Sequence, residues 1–462
     1  MEEVYFESYD PPEFEKLKSR LLAGEARAVE QEIFAKKAAE AGAIYQKLIQ
    51  EVTNSIEGRT LAKKLIQQNR YHILRMTRVT VTIQDGQRIR IPSFYALRTG
   101  KKKGPRKTGP NGRGIHVLLS YWGYINKYSP NHVEQVARCG VGSASYDLAE
   151  AELQAQGMSI SSKTVDHIVQ EIGERAQHIR SSIMITAGET LAGKRVLISL
   201  DGGRIRSREW KTGRPKKEQK QVGFTTPWRE PKLLVIAEID EHGKKKNGAK
   251  PLYEATMGGP DDLYQLLSGL CRELKLEEAE EIACIGDGSD WIWNIFSRLI
   301  EEQDIQKKTT RIADYYHAVE HLTEISELQT GKSEKERKQW ARQLSLLLRE
   351  GKFDLVKQLV RGESERQKIP EMIKQFGYFE KRRQWMRYDE YEKKKLPIGS
   401  GIVESAIKRV INQRVKAPGS FWKLENVERM LQLRCALMAG RWQVLITNLF
   451  AATRLAYSYA DM

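Results

Sequence analysis

The order of apolar and polar positions divides the chain into three kinds of segment. From about Pro12 to Gln68, apolar residues recur at helical spacing among Ala, Glu, Lys and Leu, which predicts helices punctuated at Gly42 and Gly58. Residues 78–94, RVTVTIQDGQRIRIPSF, change to alternation about Asp85-Gly86, the pattern of a β-hairpin. Residues 131–174 return to helical spacing. Within them LAEAELQAQGMSISSKTVDHIVQEIG reads as a helix, a turn at Gly157 and a second helix capped at Ser161 or Ser162. This is the layout of a helix-turn-helix, with Lys163, Thr164 and His167 near the groove-facing start of the second helix.

From Lys194 the pattern is that of buried strands. KRVLISLDGG is an apolar run that ends in Asp201 and two glycines. KQVGFTTP and KLLVIAEID predict two more strands, followed by a turn, DEHGKKKNG, and a helix over about Pro260–Lys275. EEIACIGDGSDWIWNIFSRLI gives a strand, Asp287, a turn and a helix started by Ser289 or Asp290; KKTTRIADYYHAVEHLTEI repeats the design around Asp314. Three hairpin-like strands followed by strand–helix units predict an α/β fold, a mixed sheet with helices on both faces. Residues 332–395 are helical and heavily charged, a helical insertion in that domain. Gly399 to Arg414 then predicts one helix whose buried stripe is Val403, Ala406, Ile407, Val410 and Ile411. Glu404 lies at the edge of the stripe, about 100° round from Val403. A last helical segment runs from Leu424 to about Tyr457. The expected organisation is an N-terminal helical and hairpin region with a basic loop (1–115), a helix-turn-helix region (116–190), the first part of an α/β domain (191–330), its insertion (331–396) and its last part (397–462).

Charge sharpens this picture. Lys and Arg number 77 against 60 Asp and Glu, a net charge of +17 and a pI near 9.5, the balance of a chain that meets nucleic acid. The run TGKKKGPRKTGPNGRG, residues 99–114, concentrates that charge in a loop that reads as a linker or as a phosphate-neutralising arm. The four cysteines, Cys139, Cys271, Cys284 and Cys435, lack metal-ligand spacing and fit a reducing, cytoplasmic location. The acidic start MEEVYFESYD lacks the apolar core of a signal peptide, and no apolar run is long enough to span a membrane.

Asp201 and Asp287 each end an apolar strand, a costly place for an unpaired carboxylate, and Glu404 sits on a core-facing helix. Such a set suits a shared cation, and all-oxygen donors point to Mg²⁺ or Mn²⁺. The same residues admit plainer roles. Asp201-Gly202 and Asp287-Gly288 are also β-turn openings, Asp290 and Asp314 are also helix N-caps, and Glu404 is also an i,i+4 partner for Lys408. His317 and His321 have zinc-ligand spacing without a suitable third ligand, and read as hydrogen-bonded or substrate-touching groups. Trp291, Trp293 and Trp422 fall in apolar helical contexts and read as core.

Taken together, SLDGGRIR, GRPKKEQKQVGFTTPWREPKLLVIAEID, IGDGSDWIWN, DYYHAVEHL and GSGIVESAIKRVINQRVKAPGSFWKLENVERMLQLR resemble, in this order, the bacterial insertion-sequence transposases of the DDE type, of the Kra/Lre-like group. More distantly they are similar to the Mutator-like transposases. The resemblance covers about Val165 to Met438. It implies a ribonuclease H-like mixed sheet with a helical insertion, in which Asp201, Asp287 and Glu404 are the three catalytic, metal-holding acids. Asp314 and His317 match an Asp-x-x-His element. The implied activity is Mg²⁺- or Mn²⁺-dependent cleavage at transposon ends and strand transfer into target DNA. Terminal repeats and target DNA are the implied partners, and bringing two ends together implies a homo-oligomer on DNA. Lys408 would then lie near the scissile phosphate, with Arg409, Arg414 and His317 also toward DNA. The chain departs from the pattern in lacking the paired N-terminal cysteines that some relatives carry. The rivals are a nuclease or resolvase of the same fold that never joins strands, and a domesticated DNA-binding protein; the presence of all three acids weighs against the latter.

Overall fold

Helices form where the Ala- and Leu-rich N-terminal pattern predicts them, but they break elsewhere. In the structure, a computed structural model, the residues described are 11–22, 26–68, 71–98, 114–180, 184–211 and 223–458. The first helices are α1 (Pro11–Leu22), α2 (Ala26–Asn54) and α3 (Ile56–Gln68). Gly42 lies inside α2 and marks a close approach instead of a break. A Cβ there would meet Gln87 Oε1 at 2.3 Å. The hairpin is present as β1 (Tyr71–Thr82) and β2 (Arg88–Arg98), antiparallel with Val79 opposite Ile91. Its turn uses left-handed backbone at Asp85 (φ 57°) and Gly86 (φ 80°), which Asp tolerates and Gly prefers. β3 (Gly114–His116) adds to the β2 edge, and α4 (Val117–Tyr121) follows. Val79, Val81, Ile89 and Ile91 pack with Ile49 and Leu119 into one cluster. The basic loop, apart from Gly114, lies outside the described residues.

The chain divides into two units, residues 1–137, 150–161 and 450–462 in one, and 138–149 and 162–449 in the other. The boundaries run through the expected helix-turn-helix region. α5 (Pro130–Gly142) and α6 (Tyr146–Ala155) are followed by a turn with Gly157 at φ 87°, then α7 (Ser162–His178). The turn falls in the first unit and α7 in the second. Val165, Ile168, Val169, Ile172 and Ala176 are the buried face of α7.

The second unit is built on a five-stranded mixed sheet of β4 (Arg195–Gly202), β9 (Lys232–Glu238), β10 (Leu252–Thr256), β11 (Glu281–Gly286) and β12 (Thr309–Ala313), in the order β10-β9-β4-β11-β12. β4, β9 and β10 pair antiparallel; β11 and β12 run parallel to β4. Near-continuous burial along β4, β9 and β11 matches their unbroken apolar runs and a sheet covered on both faces. Between β4 and β9 the chain makes two short ribbons outside this sheet: β5 (Ile205–Arg206) with β8 (Trp228–Arg229), and β6 (Glu209–Trp210) with β7 (Phe224–Thr225). This corrects the reading of KQVGFTTP as a sheet strand. The strand after β9 is β10, which falls between the predicted turn and the helix, where the sequence pattern assigns no element. α8 (Pro260–Glu273), α9 (Asp290–Glu302) and α10 (Tyr315–Glu327) alternate with the last strands.

The insertion is helical, as expected: α11 (Glu334–Arg349), α12 (Phe353–Gln367), α13 (Glu371–Arg382) and α14 (Tyr388–Lys393). The predicted helix over 399–414 is instead a short α-helix, α15 (Gly401–Ala406), that passes into a π-helical turn over Ile407–Asn412. All five predicted stripe residues are buried. The last segment is two helices, α16 (Leu424–Met438) and α17 (Trp442–Ser458), separated at Gly440, whose φ is 71°. Among the described residues no helix is long and apolar enough to cross a membrane.

Candidate active site at the ends of three parallel strands

The sheet register brings the strand-end acids level. Ser199 of β4 pairs with Ile285 of β11, so Asp201 and Asp287, each two residues further on, stand side by side. Gly286 pairs with Ala313 of β12, which sets Asp314 beside Asp287. Neighbouring strands lie about 4.8 Å apart, so three carboxylates line one edge. α15 packs on β4 and β9 and brings Glu404 to the same end. A Cβ at Gly203 would approach Ile411 Cδ1 to 2.8 Å, so this glycine lets the helical segment lie close on the strand.

The acids differ in environment. Asp201 is half-buried and accepts a hydrogen bond from its neighbour Gly202 N at 2.6 Å. Burial, first, pushes its carboxyl up to about 7; the Gly202 N–H works against this, and the charges of Asp287 and Glu404 add to the rise while His317 opposes it. Asp201 therefore feels both other predicted acids. Asp287 accepts from Ser289 N at 2.8 Å and Ser289 Oγ at 3.1 Å, an Asx-type turn that starts α9. The loop is held by α13: Tyr378 Oη donates to the Asp287 carbonyl at 2.8 Å, and Arg382 Nε to the Gly288 carbonyl at 2.7 Å. Gly288 has φ 100°, and a Cβ there would strike Arg382 Nε at 2.5 Å. Sequence reading missed Tyr378 and Arg382; they lie in a charged helix with no signal that it reaches the sheet.

Asp314 is 1% exposed and saturated with donors. One oxygen caps α10 through Tyr316 N at 2.7 Å and His317 N at 3.3 Å; the other accepts from Ser400 N at 3.0 Å and from Ser400 Oγ. Ser400 in turn is the N-cap of α15, its carbonyl accepting from Val403 N at 2.8 Å and Glu404 N at 3.2 Å. Asp314 thus ties the end of β12 to the helix that carries Glu404. Glu404 itself is exposed, with Oε1 3.5 Å from Ser400 Oγ. It forms no ion pair with Lys408 among the described residues, so the plain surface-pair reading of that spacing is not what the structure shows. As the side chains stand, no three His, Cys, Asp or Glu among the described residues are arranged to hold one metal ion.

The basic residues expected near DNA separate into two groups. Lys408 is exposed one turn beyond Glu404; on α7, Lys163 and His167 are exposed and Thr164 is half-buried. His317 is half-exposed, its Nδ1 3.2 Å from Glu320 Oε2 and its ring 4.7 Å from that of His321. The His321 ring lies 4.0 Å from that of Tyr378, tilted by 36°, and burial, then His317, lowers its pKa.

Arg414 is a correction. It is 3% exposed, donates to the Ala144 carbonyl at 2.9 Å and lies over the Tyr146 and Trp422 rings at 4.5 and 5.0 Å. It continues the buried stripe, three residues after Ile411 and four after Val410, so it faces inward and cannot track a phosphate backbone. Arg409 is likewise engaged, with Nη2 2.8 Å from Tyr253 Oη. Arg434, fully buried, donates to the carbonyls of Arg409, Val410 and Val141, meeting acceptors at the π-helical turn. Of the tryptophans read as core, Trp293 is buried, while Trp291 is half-buried beneath Lys232, 5.3 Å from its ring.

No family model matches the chain, and no curated protein matches it. Among solved structures it is similar to the Drosophila P element transposase strand transfer complex, with 11% identity over 71% of this chain and 82% of that one, at a TM-score of 0.28. A likeness this loose does not speak for function.

Proposed function

We propose that this protein is a DDE-type DNA transposase of ribonuclease H-like fold that cleaves DNA strands and transfers them to a target. The observation that carries the reading is the register that sets Asp201 and Asp287 side by side at the strand ends, with α15 bringing Glu404 to the same end. The sheet order, with two parallel strands beside an antiparallel trio, and the helical insertion before Glu404 support the fold.

Asp201, Asp287 and Glu404 would hold Mg²⁺ or Mn²⁺, since carboxylates alone supply the hard oxygen donors such ions take. Bound there, the ions would polarise a phosphodiester and supply an oxygen nucleophile near neutral pH. The chain's own groups set the frame. Tyr378 and Arg382 fix the loop of Asp287, and Asp314 fixes the start of the Glu404 helix through Ser400. Lys408 would meet a phosphate flanking the cut, and Lys163, Thr164 and His167 would meet DNA along α7. Cleavage and joining would use the same site in turn, first with water and then with a DNA 3′-hydroxyl as the attacking oxygen.

The test is cleavage of labelled DNA carrying the element's terminal repeats in Mg²⁺, in Mn²⁺ and in chelator. Metal-dependent cuts with 3′-hydroxyl ends, and joined products once target DNA is added, are the expected result. Cuts that are never joined would assign the protein to the nucleases, and binding with no cut under either metal would sink the enzymatic reading.

A further inference from the structure

The segment that leaves β4 just after Asp201 presents an unusual surface. Gly203, Ile205 and Ser207 are buried, whereas Arg204 and Arg206 are exposed and Arg208 half-exposed, the two-residue alternation of an extended strand with one face in solvent. Aromatic rings lie among these arginines. Trp228 is 47% exposed, with the Arg204 and Arg206 guanidiniums 5.1 and 4.9 Å from its ring centre. Trp210, also 47% exposed, meets Phe224 edge to face at 5.6 Å, and Arg208 lies 4.7 Å over Phe224. Arg204 and Arg206 have no carboxylate partner among the described residues. The nearby acids are already engaged, Glu209 with Arg229 and Glu230 with Lys232.

The strip is anchored, because Gly203 N donates to Pro231 O at 2.8 Å, Ser207 N to Pro227 O at 3.0 Å, and Arg208 N to Trp422 O at 2.6 Å. Exposed tryptophan is costly in water, and here it is kept beside cations that have no carboxylate partner among the described residues, on a braced ribbon that starts at the first candidate acid.

We infer that Arg204, Arg206, Arg208, Trp210, Phe224 and Trp228 form a stacking platform for unpaired nucleotides of DNA. The occupant is a single strand, because flat rings interleaved with guanidiniums match bases that offer a π-face on a charged backbone. A closed duplex hides those faces and would engage only the charges. The inference rests on the DNA reading above and deepens it: the site would hold DNA opened next to the cut, with bare bases laid on the ribbon beyond Asp201.

The experiment uses the full chain in chelator and compares a fluorescent oligodeoxythymidylate of about 16 nucleotides with a blunt duplex of equal length. Trp228→Ala is expected to weaken single-strand binding about fivefold or more, with duplex affinity changed less than about twofold, and Trp228→Phe to restore most of the loss. Trp210→Ala is the second variant; both side chains are half in solvent, and a circular dichroism spectrum checks the fold. Unchanged single-strand affinity in both variants overturns the platform, as does an equal loss on both DNAs. A fall in oligomeric mass without a change in affinity would make the strip an interface between copies and also overturn it. Wild-type cleavage in Mg²⁺ is read in parallel: if it persists while the strip variants bind single strands normally, only the platform fails. If the wild type binds no DNA at all, both readings fail.

Discussion

The ends of β4 and β12 carry the same residue in the same kind of place, yet Asp201 and Asp314 have opposite circumstances. Asp314 is buried and accepts from four donors, two on α10 and two from Ser400. Asp201 has one backbone donor and two carboxylate neighbours. A saturated buried carboxylate acts as a structural bracket; an under-satisfied one beside like charges is poised for a ligand. The difference lies in the donors around each acid, which position in the sheet does not reveal.

The sharpest test of that contrast is activity. Asp201→Ala, Asp287→Ala and Glu404→Gln are each expected to lower metal-dependent cleavage by on the order of a thousandfold, while a gel-shift assay shows DNA binding kept. Near-normal cleavage by any one of them removes that residue from the site. Stability should divide the other way. Asp314→Ala leaves buried donors unpaired and is expected to cost about 2–4 kcal/mol in urea unfolding, whereas Asp201→Asn should cost little. Equal losses would erase the comparison.

The pH response follows from the raised Asp201 carboxyl. Its folded-state pKa of about 7 lies above the ordinary carboxylate value of about 3.9, so the folded chain holds the proton longer. Between these values the unfolded state binds fewer protons, and the contribution to stability falls as pH rises from about 4 to about 7. Asp201→Asn should abolish that part of the decline in thermal melts without metal. In cleavage assays the same proton competes with the metal, so the Mg²⁺ needed for half-maximal rate should rise as pH falls below about 7. The smallest effects concern the cations. Lys408→Ala should reduce DNA affinity a few-fold and flatten its salt dependence. Arg414→Ala should lower the melting temperature with no change in that dependence.

Much of this was legible in the chain. Apolar runs ending in Asp201, Asp287 and Asp314 located three strand ends, and the stripe from Val403 to Ile411 located the Glu404 helix. What escaped depends on partners distant in sequence. β10, with the sequence LYEAT, carries a carboxylate in mid-strand; in the fold this Glu254 is buried on Arg180, whose Nε and Nη2 approach at 3.1 and 2.9 Å. Arg414 reads as a phosphate contact by its charge and by the resemblance, although its place three residues after Ile411 puts it on the buried stripe, where the Ala144 carbonyl and two rings take it. The bracket from Asp314 to Ser400 joins residues with no shared local pattern, and so do the ties from α13 to the Asp287 loop.

Those same ties have a consequence for the order in which the protein is made. Synthesis delivers Asp201 and Asp287 early, but Tyr378 and Arg382, Ser400, and finally Glu404 arrive only near the end. A nascent or truncated chain therefore owns two of the acids without the clamp that steadies one or the helix that supplies the third. On the proposed reading, the three-acid site is completed only late in translation, and a fragment ending before Ser400 would lack it.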